Sequence, residues 1–313
     1  MIVPTVGPAK AARLLESLAD AGDGFETLVV DNGTGAAELD SAAKALDGAR
    51  VIGLDSNLGY SRAVNLAAQQ AEGEALVLLN DDSVVEPGYV ERITQPLDPG
   101  RSVVMAAGVM RDASDPGLIE TAGIEIDRTL LAFDYLNGEP VEVLDRGVAD
   151  PIGPSGAAAA IWRDAFFDAG GFDEALFAYG EDVDLVLRLR RAGGACRLAK
   201  DATGLHEHSA TLGSGSARKD YLMGYGRGYL LRKWGVLAPQ RVPSVLAREL
   251  TWAVGQAIVD RNLGGLRGRV NGLRAGGPRE PYPPAEMLPD PPPLTASLGR
   301  RWRRRARLRR RSE

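Results

Sequence analysis

The first hundred residues alternate between short apolar runs and longer mixed ones, and this alternation restricts the chain to very few folds. MIVPTV precedes PAKAARLLESLADAG, ETLVVDN precedes TGAAELDSAAKALDG, RVIGLD precedes YSRAVNLAAQQAEG, and ALVLLN precedes EPGYVERITQPL. Short apolar runs bounded by turn residues read as strands covered on both faces, and the stretches between them read as helices. Such an order requires right-handed crossovers, so the expected class is α/β with a mostly parallel central sheet flanked by helices. Ligands of these sheets gather beyond the carboxyl ends of the strands. The polar clusters lie at those ends: Pro4 and Thr5, Asp31 and Asn32, Asp55 to Gly59, and Asp81 with Asp82.

From residue 101 the pattern is mixed. SVVMAAGVM and LIETAGIEID are strand candidates, and small residues from Gly153 to Ala160 suit a strand approached closely by a ligand or another backbone. EDVDLVLRLRR reads as a helix with an acidic first turn. Residues 217 to 233 and 244 to 260 are expected to be helical, and the proline-rich residues 276 to 293 to form an extended linker.

Three clusters carry chemistry. Asp81 and Asp82 end an oily strand, where paired carboxylates need solvent, a helix amino terminus or a cation. As turn formers they need none of these; beside a diphosphate they suit a hard divalent cation, which takes one or two carboxylates and leaves other positions to phosphate and water. The chain has two histidines, His206 and His208, both in HEHSAT, without zinc-site spacing or cysteine partners. One of them joining Asp82 is the more economical reading. Glu181, Asp182 and Asp184 satisfy a helix dipole on the structural reading. The glycine-rich, aromatic approach GGFDEALFAYG is left unexplained by that reading, and suits a carboxylate held ready to accept a proton.

In order and spacing, VVDNGT, NLGYSRAVN, LLNDDSVVEPG, GGFDEALFAYGEDVDLVLRLRRAG and LHEHSAT resemble the family-2 inverting glycosyltransferases of the GT-A (Rossmann-like) fold, over roughly residues 1 to 235. Within that family the chain is similar to bacterial rhamnosyltransferase-like and galactofuranosyltransferase-like members that build cell-envelope glycans on lipid carriers. The resemblance implies a nucleotide-sugar half (1–100) and an acceptor and catalytic half (101–235), and the sequence beyond it reads as a helical extension (236–275) and a proline-rich linker with an arginine-rich tail (276–313). It assigns Pro4, Thr5 and Asp31 to the nucleotide, and Asn57, Gly59 and Arg62 to the nucleotide-sugar site, with Arg62 facing phosphate charge. Asp82 takes the metal-contacting position, with Asp81 beside it where many relatives carry proline. His206 completes the metal site ahead of His208. Asp182 matches the catalytic base, with Glu181, Asp184 and Gly156 on the acceptor side or behind the site. The implied cofactor is Mn2+ or Mg2+, the donor a nucleoside-diphosphate sugar, and the acceptor a glycan or lipid-linked saccharide.

Two rivals share parts of this pattern. A sugar-nucleotide-forming nucleotidyltransferase would carry a basic glycine-rich loop after its first strand, where this chain has VGPAKAARLL. A non-catalytic nucleotide-sugar-binding protein would be expected to lack Asp82 or Asp182.

Charge separates the chain into two parts. Nine arginines lie between Arg300 and Arg311, and with Glu313 that end carries +8, so the preceding 299 residues carry −13 against a total of −5. The tail is either a solvated end or a contact for an anionic membrane surface; a single aromatic residue, Trp302, makes nucleic acid an unexpected partner. The lone Cys196, the lack of a secretory pattern and the lack of a long apolar run lead to a cytoplasmic expectation, peripheral at the inner face of the cell membrane.

Overall fold

A computed structural model describes residues 1–98, 100, 102–207, 216–239 and 241–289. In chain order the elements are β1 (Ile2–Thr5), α1 (Pro8–Leu18), β2 (Thr27–Asp31), α2 (Ala37–Lys44), β3 (Ala49–Gly53), α3 (Tyr60–Ala68), β4 (Ala75–Leu79), β5 (Ser83–Val85) and α4 (Tyr89–Thr94). There follow β6 (Val103–Asp112), β7 (Asp115–Thr121), β8 (Ile124–Ile126), β9 (Ala132–Asp134), β10 (Ala158–Trp162), α5 (Arg163–Asp168), α6 (Glu181–Arg191), β11 (Ala195–His206), α7 (Ala217–Lys233), α8 (Val242–Asp260) and α9 (Gly264–Arg274).

The main sheet runs β3-β2-β1-β4-β10-β6-β11-β5, with β7 added on β6. The first four strands are parallel, as the alternation implies. The second half is mixed, because β10 enters antiparallel to both β4 and β6 while β11 runs parallel to β6. This reversal brings the start of β10 to the edge where β1, β2 and β4 end. Side chains along the buried strands alternate between two cores, as a period of two requires. Ile2, Leu28, Leu76 and Leu78 pack with α3, α6 and α7 on one face, and Val3, Val29, Val77 and Leu79 with α1, α2 and α4 on the other. The continuous apolar run of β4 follows from this double covering.

The carboxyl-terminal helices pack through glycines. A Cβ at Gly268 of α9 would lie 2.0 Å from the Tyr221 carbonyl oxygen, and one at Gly228 of α7 would lie 2.1 Å from that of Arg269. Backbones this close leave no room for a methyl group, so Gly268→Ala is expected to cost about 1–3 kcal/mol, as overpacking does, and to lower the denaturant midpoint. A midpoint equal to the parent's would mean that α7 and α9 do not meet this way.

The expected linker is extended, with one short 3-10 turn at Ala285–Met287, yet residues 276–289 are not a free spacer. Glu280 N–H donates to the Lys233 carbonyl at 2.6 Å, Arg191 pairs with Glu280 at 2.7 Å, the Arg241 guanidinium sits 3.8 Å from the Tyr282 ring centre, and Leu288 is buried. These partners come from α6, α7 and the start of α8, where composition gives no hint of them. The arginine-rich stretch and His208 lie outside the described residues.

Candidate active site

The carboxyl edge of the sheet gathers the expected residues by register. Thr5 pairs with Asp31 across β1 and β2, and Ala158 pairs with Leu79, which sets Gly156 beside the start of the Asp81–Asp82 turn. His206 pairs with Ser83 across β11 and β5, and Glu207 N–H donates to the Asp82 carbonyl at 3.0 Å. Residues more than a hundred positions apart are thus brought side by side.

His206 Nε2 lies 2.8 Å from Asp82 Oδ1, and its Nδ1 lies 2.6 Å from Glu120 Oε2. Burial alone would lower the imidazole pKa; the hydrogen bonds with Asp82 and Glu120 outweigh it and raise the value to about 10. The two flanking carboxylates thus favour positive charge at this place. Glu120, buried on β7, is a residue that the sequence reading missed. Its only local sign is a carboxylate between the apolar Ile119 and Thr121 of a strand.

This pair fits a divalent cation. Adjacent ligands of an octahedral ion bound at ~2.1 Å are about 3 Å apart, close to the 2.8 Å between Asp82 Oδ1 and His206 Nε2. A carboxylate behind the other ring nitrogen is the usual support of a metal-ligating histidine, and Glu120 supplies it. Among the described residues no group of three or more acidic, histidine or cysteine side chains is arranged to cage a metal ion. Two ligands leave the remaining positions to phosphate and water.

Asp81 turns the other way. Its Oδ2 accepts from Thr5 Oγ1 at 2.6 Å, and Thr5 Oγ1 accepts from Gly7 N–H at 2.9 Å, which ties the end of β1 to the end of β4. Burial, the main cause, and then the nearby Asp82 raise the Asp81 pKa against the Thr5 hydrogen bond. Asp31 accepts from Thr34 N–H at 2.8 Å, Thr34 Oγ1 at 2.6 Å and Gly35 N–H at 2.8 Å. Burial would raise its pKa, and these bonds more than offset it, so the pKa is lowered. Pro4 is buried in β1.

The loop before α3 is shaped by two asparagines. Asn57 Oδ1 accepts from Gly59 N–H at 2.9 Å, and Asn32 Oδ1 accepts from Leu58 N–H at 2.8 Å. Gly59 has φ +87°, and a Cβ there would lie 2.4 Å from the Phe177 carbonyl oxygen, so only glycine fits. Helix α3 then grips the glycine-rich approach to α6. Tyr60 N–H donates to Phe177 O at 2.7 Å, while the Asn65 amide donates to Phe172 O and accepts from Phe172 N–H, each at 2.9 Å. Arg62 stands apart from the expected phosphate contact: its side chain is more than half exposed and pairs with Glu174 at 3.2 Å.

That grip fixes Asp182. Its Oδ1 accepts from Val183 N–H at 2.8 Å and its Oδ2 from Gly156 N–H at 3.5 Å. One side borders a small cavity whose walls include Leu78, Phe172 and Val186, and burial raises the pKa of the carboxyl. Glu181, buried with its Oε2 lacking a partner, is pushed up to about 8 by burial and then by Asp182. Tyr60, whose hydroxyl donates to Gly156 O at 2.8 Å, is held neutral by burial and by these two acids. A Glu181 that ionises at about pH 4.5 unfolded and about 8 folded weakens the fold increasingly as pH rises between those values. Glu181→Gln is therefore expected to melt higher than the parent at pH 8 by a margin that shrinks toward pH 5; an equal margin at both would remove the carboxyl's burial as its cause.

Asp184 does not join the acceptor side. Two residues along a helix is a rotation of about 200°, which turns it away from Asp182. It is fully buried against Lys233 Nζ at 2.9 Å, Arg188 Nε at 2.9 Å and Trp234 Nε1 at 3.0 Å, fastening α6 to α7. Tyr179, with a left-handed φ of +70°, lies beneath Lys219 Nζ at 5.7 Å from its ring centre. Its pKa is pushed to about 12 by burial and then by Glu181 and Asp82, so Tyr179 stands between the two acidic clusters.

Residues 2–139 match the family described as Glycosyl transferase family 2. Over 201 residues, 60% of this chain, it is 29% identical to the O-antigen biosynthesis protein RfbC of Myxococcus xanthus, spanning only 15% of that protein. Over 212 residues, 59% of this chain and 67% of the relative, it is 30% identical to N-acetylglucosaminyl-diphospho-decaprenol L-rhamnosyltransferase of Mycobacterium tuberculosis strain H37Rv. The crystal structure of GalNAc-T7 with UDP, GalNAc and Mn2+ has the same fold, with a TM-score of 0.58 at 17% identity over 74% of this chain and 47% of that one. A mixed sheet whose four parallel strands end in polar residues on one edge, together with these matches, makes the chain a GT-A member of glycosyltransferase family 2.

Proposed function

We propose that the chain transfers a sugar, with inversion, from a nucleoside-diphosphate sugar to a hydroxyl of a glycan or lipid-linked saccharide in cell-envelope synthesis. The observation that carries this reading is the meeting of Asp82 and His206 at 2.8 Å, with Asp182 held by Gly156 N–H beside the same edge and its pKa raised by burial. The named activity of the mycobacterial relative and the ligands of GalNAc-T7 support it.

Asp82 Oδ1 and His206 Nε2 would hold Mn2+ or Mg2+, and Glu120 would fix the ring by accepting from Nδ1. Such a cation neutralises charge on a departing diphosphate. Asp182 Oδ2 takes the proton from the acceptor hydroxyl as its oxygen attacks the anomeric carbon, and the carbon–oxygen bond to the diphosphate breaks on the opposite face. Tyr60 holds the Gly156 carbonyl, and Gly156 N–H steadies Asp182, so the base is oriented from both sides. Pro4, Thr5, Asp31, Asn57 and Gly59 frame the nucleotide side of the edge, with Asp81 bracing Thr5.

Incubation with UDP-, dTDP- and GDP-sugars and a polyprenyl-diphosphate saccharide is expected to release nucleoside diphosphate. Pyrophosphate would indicate sugar-nucleotide synthesis, and no product from any donor a binding protein. Among the described residues no helix is long and apolar enough to cross a membrane. The arginine-rich tail is assigned in this reading to the anionic inner face of the cell membrane, where lipid-linked acceptors lie.

A further inference from the structure

Helix α8 is turned inside out. Of its nineteen residues three are charged, Arg248, Glu249 and the terminal Asp260. Arg248 and Glu249 point inward. Glu249 is buried against Arg227 at 2.6 Å and Arg269 at 3.1 Å, and Arg248 Nη1 lies 3.9 Å from the buried Asp127. The outward arc holds Leu246, Leu250 and Val254, one turn apart, with Leu250 67% exposed and Leu246 53%. A water-facing helix carries the opposite pattern.

Helix α9 repeats the feature in a basic setting. Its glycines face α7, and Leu263, Leu266 and Val270 at the same helical spacing are exposed. From Arg261 to Arg279 there are five arginines and no acidic residue, in a body that is otherwise strongly acidic. Of these, Arg261, Arg267 and Arg274 are exposed beside the apolar residues. The Arg269–Glu249 pair ties the two helices together.

We propose that the outward face of α8 and α9 docks on an anionic lipid bilayer, its leucines and valines entering the acyl boundary and its arginines meeting the headgroups. Apolar residues accompanied by exposed arginines, with one half-buried acid, Asp260, at the join of the two helices, are complementary to such a surface. A water-soluble protein partner would not need a stretch free of acidic residues from Arg261 to Arg279. The location also fits the reaction on which the proposed function rests. Gly264, at the start of α9, packs on the Ala217 carbonyl, and Lys219, two residues on, covers Tyr179. The docked face is thus joined to the site through a single helix end.

The test is flotation of the full chain with phosphatidylcholine vesicles, with and without phosphatidylglycerol, against full-length Leu250→Glu/Leu266→Glu. Both positions are exposed, so the variant should melt with the parent, which circular dichroism checks. Parent protein is expected to float with anionic vesicles and to be released by salt, and the variant to partition about tenfold less or worse. The tail is unaltered in the variant. Equal flotation of both proteins would assign binding to the tail and overturn the proposal, as would flotation of neither, which would leave the face to a protein partner. Donor binding followed by thermal shift does not depend on the vesicles, so a failed glycosyltransferase reading is seen separately.

Discussion

Asp182→Asn is expected to lower turnover by about a hundredfold or more, with donor affinity little changed. The substitution keeps the shape of the side chain, and the amide oxygen placed at Oδ1 still accepts from Val183 N–H, with only the long contact from Gly156 N–H to Oδ2 given up, so the start of α6 is retained. What is lost is the oxygen able to take a proton. Burial beside the cavity raises the Asp182 pKa, which brings its basicity nearer to working pH than an exposed aspartate's. The effect should therefore fall on kcat rather than on the donor's binding constant. A variant with most of its turnover would return Asp182 to a helix-start carboxylate with no part in proton transfer.

Replacing Asp82 or His206 by alanine should abolish most manganese-dependent donor binding, weakening it by at least about a hundredfold, since even outer partners of metal ligands contribute tenfold or more. The two substitutions should not add. Each removes one of two protein ligands to the same ion, and residues of one constellation couple. Calorimetric titration of donor with and without Mn2+ reads this directly. If both variants bind donor and metal as tightly as the parent, the cation lies elsewhere, and the Asp82–His206–Glu120 cluster is structural only.

The strand ends were legible in the sequence because they are local. An apolar run stops and polar residues begin, and the crossover rule sets all four stops on one edge. Relations that depend on register or on helix rotation were not. Glu181, Asp182 and Asp184 look equivalent in the string, yet about half a turn of helix sends Asp184 to Lys233 and Trp234, about fifty residues downstream. Glu120 reaches His206 through β6, which pairs with both of their strands, and no spacing in the chain announces that. Arg62 followed the phosphate expectation in sequence, whereas the packing of the Gly170–Gly180 loop on α3 brings Glu174 to it. Composition marks the proline-rich segment as irregular, and only the folded body reveals what Glu280 lies against.

A single displacement with Asp182 as the base is tested most directly by the configuration at the transferred anomeric carbon. With the donor that supports release of nucleoside diphosphate, the anomeric proton and carbon of the glycoside product can be assigned by NMR. One attack from the face opposite the diphosphate predicts a product of inverted configuration relative to the donor. A product of retained configuration would contradict the account, since it requires either two displacements or attack from the leaving face, and neither has a place for Asp182 as the base of one step.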